Sequence, residues 1–78
     1  MAKEFKKPNL KSRDIEIRCE DGAVIILATE HGLRRIIANC KLLMENSPDV
    51  QHQHLESQGL LTKESLKCTI RMFSKEEI

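Results

Sequence analysis

The chain is poor in aromatic residues and has no long apolar run. It contains no Trp, no Tyr and two Phe among its 78 residues. No stretch approaches the about 18 apolar residues that a membrane-spanning helix requires, and no hydrophobic signal core follows the basic start. We therefore expect a cytoplasmic protein with no membrane partner. A chain of this length buries only about 60% of the surface that its unfolded form exposes, which excludes large catalytic architectures.

The cysteines do not fit a disulfide framework. Cys19, Cys40 and Cys68 are odd in number, widely spaced and without a CxxC pair. Free, reduced thiols that serve as small apolar side chains are the favoured interpretation, and they agree with a cytoplasmic location. A three-thiolate metal site or a reactive nucleophile is the alternative, although no His or Lys is placed in sequence to lower a thiol pKa.

Charge divides the chain into two parts of opposite sign. Residues 1–13 hold five basic groups and one acidic group, whereas residues 14–78 hold eight basic and eleven acidic groups. This pattern predicts a flexible basic N-terminal arm over 1–13 and a single small α+β domain over 14–78. Because no aromatic side chains are interleaved for base stacking, a solubilising tail is favoured over a nucleic-acid contact.

A β-hairpin is predicted at the start of the domain. Strict alternation from Asp14 to Glu20 indicates a half-buried strand, and Ala23–Ala28 is an apolar run too short for a helix. Asp21-Gly22 between them is typical of a two-residue type I′ turn. This turn would place six side chains on one core-facing side: Ile15, Ile17, Cys19, Val24, Ile26 and Ala28.

The opposite face of this hairpin carries an unexpected apolar pair. Ile25 and Leu27 lie there beside the charged Glu16 and Arg18. Two large aliphatic side chains on a nominally wet face favour a covered patch, and a second copy of the chain is the expected cover. We assign Ile25, Leu27 and Phe73 to a self-association surface, which predicts a homodimer.

One amphipathic helix is predicted over residues 30–46. Thr29 is a suitable N-cap, and Pro48 prevents extension beyond the end. Apolar residues recur at helical spacing on one side, which must pack on the sheet: Leu33, Ile36, Ile37, Cys40, Leu43 and Met44.

The rest of the chain predicts two more strands. Residues 50–56 form a third strand whose apolar phase is ambiguous, and residues 66–73 alternate with Leu66, Cys68, Ile70 and Met72 inward. The expected architecture is ββαββ, a four-stranded, largely antiparallel sheet with the helix packed on one face.

His52 and His54 are the residues that suggest a metal. Residues two apart on a strand point to the same face about 7 Å apart, and Glu56 follows two positions later. A zinc site needs at least a third protein ligand, so a polar surface that faces a partner is favoured and no cofactor is expected. The sequence has no Gly-rich phosphate loop and no GxSxG motif, and we expect no enzymatic activity.

The order of several segments resembles a known family. The segments are an extended Ile15-Glu16-Ile17, a helix opening Gly32-Leu33-Arg34-Arg35-Ile36, the run His52-Gln53-His54-Leu55, and Leu60 or Leu61 ahead of Ser65 and a last strand. This order is similar to the predicted immunity proteins of bacterial polymorphic toxin systems, in the immunity protein thirty-two family. The similarity covers roughly residues 15–73.

The resemblance implies a function without chemistry. The chain would bind and neutralise a cognate protein toxin inside the producing cell. On this view the partner-binding residues are His52, His54, Glu56 and Gln58, with Arg34 and Arg35 of the helix as the second choice. The alternative function is a small self-associating module that binds a nucleic acid or a metal through the arm or through His52 and His54.

Overall fold

The computed structural model describes residues 6–47, 49 and 51–77 of this chain. It has the mixed α+β class that the sequence predicts. The elements, in chain order, are strands β1 (Ile15–Glu20) and β2 (Ala23–Ala28), helix α1 (Glu30–Asn46), strand β3 (His52–His54), a 3-10 turn (Leu55–Gln58), strand β4 (Thr69–Arg71) and a second 3-10 turn (Lys75–Glu77).

The first hairpin has the predicted register. β1 and β2 pair antiparallel, from Glu20 opposite Ala23 to Ile15 opposite Ala28. Asp21 and Gly22 have φ angles of 51° and 79°, as the two central residues of a type I′ turn require. The local turn chemistry therefore fixes which side chains of β1 and β2 share a face.

The other edge of β1 is occupied by residues 60–66. The backbone N–H of Ile15 donates to Leu60 O at 2.9 Å, and Thr62 N donates back to Ile15 O at 2.9 Å. Leu66 N donates to Ile17 O at 2.9 Å, while Ile17 N donates to the Ser65 hydroxyl at 2.8 Å. The bridge between Ile15 and Leu61 is parallel. β1 therefore has a hydrogen-bonded neighbour on each edge, of which only β2 is a regular strand.

The predicted single four-stranded sheet is replaced by two sheets of two strands, β1–β2 and β3–β4. The predicted third strand over 50–56 narrows to His52–His54, because the chain turns at Leu55 and reverses at Gly59, which has a φ of 69°. Val50 lies outside the described residues. The fourth strand narrows to Thr69–Arg71. Before it, Leu66 N bonds to Ile17 O of β1, and the Cys68 backbone bonds to Leu55 N and to the Glu56 carboxylate.

Helix α1 has the predicted bounds. The Thr29 hydroxyl accepts a hydrogen bond from Gly32 N at 3.1 Å, and at the other end Ser47 N donates to Leu43 O. Pro48, the predicted stop, lies outside the described residues. The helix touches the hairpin closely at Gly32, where an added Cβ would lie 2.5 Å from Asp14 O and 2.8 Å from Ile15 Cγ1.

The apolar core is small and sits at one end of the hairpin. Its buried members are Ile15, Ile17, Leu55 and Leu60. Partly buried side chains from β2, from α1 and from the last part of the chain pack against them: Ala28, Ile36, Leu61, Cys68 and Ile70.

The prediction that six hairpin residues share the core is wrong at three of them. Cys19 is exposed, and Val24 and Ile26 have exposed fractions of 68% and 53%. The face is the predicted one, but α1 contacts it at Ile15 and Ala28 and leaves the end near the turn uncovered. Apolar helix positions are also exposed, namely Leu33, Ile37, Leu42 and Met44.

The opposite face of the hairpin carries a buried carboxylate. Glu16 is 3% exposed, accepts a hydrogen bond from the Thr62 hydroxyl at 2.7 Å, and pairs with Arg18 Nε at 2.6 Å. The hydrogen bond from Thr62, followed by the hydrogen bond and the charge of Arg18, lowers the pKa of Glu16 from its usual value, against the opposing effect of burial.

Residues 6–13 of the predicted arm contain neither helix nor strand. The Arg18 guanidinium donates to the Lys6 carbonyl oxygen, and Lys6 Nζ lies 3.6 Å from a carboxylate oxygen of Glu64. Residues 1–5 of the arm lie outside the described residues. The division of the chain into an arm and a domain stays a prediction.

Gly32→Ala tests the close approach of helix and hairpin. Alanine is a better helix former by about 1 kcal/mol, but its Cβ would collide with Asp14 O, a backbone atom that cannot move alone. We expect a net loss of about 1–3 kcal/mol in the free energy of unfolding, measured by urea denaturation. The exposed neighbour His31 is the control, and His31→Ala should not lose stability. A gain in stability in Gly32→Ala would contradict the packing described.

Glu16→Gln tests the buried carboxylate. Because the folded-state pKa of Glu16 is lowered from that of the unfolded chain, its contribution is complete above the unfolded-state pKa and is lost as the pH falls through the folded-state pKa. The variant should lose about 1–3 kcal/mol at pH 7 and show a shallower fall in stability on acidification. Urea unfolding, followed by circular dichroism from acid to neutral pH, measures the stability and its pH dependence, with the exposed Glu45→Gln as control. Parallel curves of stability against pH for Glu16→Gln and the parent would refute the role of this carboxylate.

Candidate protein-binding surface

The β3–β4 hairpin presents one solvent-facing side. His52 lies opposite Arg71, and His54 lies opposite Thr69. All four side chains are exposed, and paired residues of an antiparallel ribbon point to the same face. Phe73, two residues beyond Arg71 and 53% exposed, extends this face. We call these five residues the ribbon surface: His52, His54, Thr69, Arg71 and Phe73.

The reverse face of the same hairpin attaches it to the fold. Gln53 and Ile70 lie opposite each other between the ribbon-surface pairs, and both are half-buried. Ile70 packs against the core cluster. The ribbon surface is therefore held on a backbone that is anchored from behind.

The two histidines contact each other rather than standing apart. Their ring centroids are 4.9 Å apart with an interplanar angle of 72°, an edge-to-face arrangement. His54 Nδ1 lies 2.7 Å from the Thr69 hydroxyl and 3.2 Å from Glu56 Oε2. These three contacts orient the His54 ring, and the His52 ring packs against its edge.

Arg71 and Phe73 form the other half of the surface. The guanidinium carbon of Arg71 lies 4.5 Å from the centre of the Phe73 ring, which is a cation–π contact. The ring thereby orients an exposed cation beside the two imidazoles.

Glu56 connects the ribbon surface to the segment that follows the core. Its own backbone N–H and then the Cys68 N–H, 3.2 Å from Oε1, lower the pKa of Glu56 against the opposing effect of burial, and nearby His54 adds to the lowering. Burial raises the pKa of the Cys68 thiol, and the Glu56 carboxylate raises it further. Glu56 is thus an ionised anchor for a backbone N–H and an imidazole.

The metal alternative finds no ligand set in this arrangement. Within residues 6–47, 49 and 51–77, His, Cys, Asp and Glu side chains form no group of three that could hold an ion. His52 and His54 do share a face as expected, and Glu56 does approach His54. Glu56 instead contacts the His54 imidazole and accepts a hydrogen bond from the Cys68 backbone N–H.

Gln58 has a role inside the fold. Its Nε2 donates to Asn39 Oδ1 at 2.7 Å, and Asn39 Nδ2 donates back to Gln58 Oε1 at 3.0 Å. Asn39 is 4% exposed and also donates to Arg35 O at 2.7 Å. This reciprocal amide pair joins α1 to the turn after β3, and Gln58 is half-buried there.

The helix residues of the second choice lie elsewhere. Arg34 and Arg35 are exposed on α1, and Arg34 Nε lies 3.3 Å from Glu30 Oε2 of the preceding turn. Of the predicted self-association residues, Ile25 and Leu27 are half-buried, whereas Phe73 belongs to the ribbon surface. Ile25, Leu27 and Phe73 do not form one cluster with Arg34 and Arg35 in the part of the chain that the structure describes.

Sequence reasoning missed Arg71 and Thr69 as neighbours of the histidines. The alternation of the last strand did place both outward. Their position beside His52 and His54 depends on the pairing of β3 with β4, which periodicity does not encode. The Glu16–Thr62 and Asn39–Gln58 bonds, which join residues 46 and 19 positions apart, left no local signal.

No protein-family model matches this chain, and neither the curated proteins nor the solved structures contain a match. In the described part of the chain, no helix has both the length and the apolar character that a membrane crossing demands.

The thiols should differ in reactivity. Cys19 is exposed, whereas the half-buried Cys68 has a raised pKa, and the thiolate is the nucleophile. We expect iodoacetamide at pH 8 to modify Cys19 at least roughly tenfold faster than Cys68, as followed by mass spectrometry of peptides. The rates should converge in urea, and preferential labelling of Cys68 in the folded protein would contradict the environment described.

Proposed function

We propose that this chain is a protein-binding module that neutralises a cognate toxin by covering part of the toxin's surface, without chemistry of its own. The observation that carries the proposal is the ribbon surface, where an exposed cation, an exposed aromatic ring and two imidazoles are mutually oriented on one β-hairpin. The order of the segments that resembles immunity proteins gives the direction of the proposal.

The fixed geometry of the ribbon surface favours binding. A side chain that is immobilised only when a complex forms costs about 0.5–1.5 kcal/mol of affinity. Arg71 is already placed by Phe73, and His54 is already placed by Thr69 and Glu56. Part of that cost is therefore met before the partner arrives.

The residue types also favour a protein partner. Arginine and aromatic side chains are enriched among the residues that dominate the binding energy of protein interfaces. Their contribution is large when the surrounding contacts exclude water. An acidic or carbonyl-rich patch on the toxin would take the Arg71 guanidinium, and an apolar recess beside it would take the Phe73 ring. The imidazoles can donate or accept hydrogen bonds at the rim.

A double variant tests the function and its placement. The candidate toxin is the terminal domain of a large protein encoded beside this chain's gene. It is produced in a host cell together with this chain, and survival and affinity are measured. We expect the parent chain to protect the host, and Arg71→Ala with Phe73→Ala to lose protection and weaken binding by at least about 30-fold, since each such residue costs 1 kcal/mol or more when truncated.

Two controls separate the surface from the function. Lys63→Ala removes an exposed cation away from the ribbon surface and should protect like the parent, while Arg34→Ala with Arg35→Ala tests the helix as the contact. Loss of protection in the helix variant alone would move the contact to α1 and refute the ribbon surface. A parent chain that neither binds nor protects would refute the toxin-neutralising function.

A further inference from the structure

Strand β2 has an open outer edge. The pair next to a two-residue turn is hydrogen-bonded, and bonded and non-bonded pairs alternate along the ladder. With Glu20 opposite Ala23, the pair of Arg18 and Ile25 is therefore also bonded, and the backbone N–H and C=O groups of Val24 and Ile26 point away from β1. Among the described residues, no segment pairs with this edge.

The edge lacks the features that normally protect such a strand. Natural edge strands carry Lys, Pro, a bulge or an inward charge, which prevent pairing with another chain. β2 reads Ala-Val-Ile-Ile-Leu-Ala, without a charge or a proline, and its register with β1 is unbroken over six pairs. A strand of this kind is a template for another strand.

The same residues expose apolar side chains. Ile17 is 4% exposed, whereas its cross-strand partner Ile26 is 53% exposed and Val24 is 68% exposed. The apolar face thus continues from the core to the hairpin end with nothing described on top of it. Val24 and Ile26 combine free backbone groups at the edge with uncovered side chains on the face.

We propose that two copies of this chain form an isologous dimer by antiparallel pairing of β2 with β2. The strand is self-complementary because it is apolar along its full length and needs no opposite charge on the partner. Paired residues of antiparallel strands share a face, so Val24 and Ile26 of both copies form one continuous apolar surface, with Ile25 and Leu27 on the reverse. In the part of the chain that the structure describes, each copy has one apolar six-residue edge of this kind, so the assembly closes at two.

Ile26→Lys tests the dimer in the full chain. Light scattering after gel filtration should give twice 9.0 kDa for the parent. In the variant each copy would place a lysine beside the pairing line, and we expect the dimer dissociation constant to rise at least about 10-fold, because like charges on one face of paired strands repel and lysine on an edge strand opposes pairing. Ile37→Lys is the matched control: Ile37 is 55% exposed on α1, and this variant should remain a dimer.

Amide hydrogen exchange of the parent tests the pairing without a mutation. Ile25 and Leu27 N–H groups bond to β1 and should be protected at every concentration. Val24 and Ile26 N–H groups should be protected at high concentration and become exchangeable on dilution below the dissociation constant. This pattern is specific to strand pairing, because two sheets packed face to face would leave both amides exchangeable.

Several outcomes overturn the proposal: a parent mass of 9.0 kDa at the highest soluble concentration, a mass above two copies, a dimer that survives Ile26→Lys, or a dimer with unprotected Val24 and Ile26 amides. None of these bears on toxin neutralisation, which is measured through Arg71 and Phe73. Failure of either proposal can therefore be recognised separately.

Discussion

The arrangement of this protein depends on the backbone hydrogen bonds that close both edges of β1. β2 bonds one edge through the type I′ hairpin, and residues 60–66 bond the other through Leu60, Thr62 and Leu66. This places Ile15 at 0% exposure in the middle of three backbone segments. Leu55 and Leu60 reach the core because residues 60–66 are hydrogen-bonded to β1. The same bonds bring β3 and β4, which flank this part of the chain, close to the core.

Closure of β1 also explains the buried Glu16 and the open edge of β2. With Thr62 held beside β1, its hydroxyl reaches the Glu16 carboxylate, and a position that alternation assigns to solvent becomes buried and paired. With both edges of β1 filled, β2 is left as the outer strand of its sheet. One set of bonds thus produces an internal ion pair on one face and leaves an outer edge of β2 that no described segment pairs with.

The elements that depend on neighbouring residues could be predicted from the sequence. The hairpin register follows from Asp21-Gly22, and the helix bounds follow from Thr29 and the apolar spacing. The elements that depend on distant residues could not: nothing local in residues 60–66 indicates that they lie along β1, and this pairing splits the expected four-stranded sheet into two. The ribbon surface was half predicted, since His52 and His54 share a face as expected, whereas Arg71 joins them through the pairing of β3 with β4.

The two proposed surfaces make different physical demands and do not compete. The ribbon surface uses oriented polar and aromatic side chains on β3 and β4, which suit a partner that must bind and be recognised. The β2 edge uses backbone bonds and apolar burial, which suit a permanent contact that adds to a small core. A dimer through β2 would carry two ribbon surfaces, so a partner with two matching sites would gain affinity from the second contact, while a partner with one site would bind each copy independently. On these two proposals, neutralisation would require only the ribbon surface, and self-association would add stability to the fold that presents it.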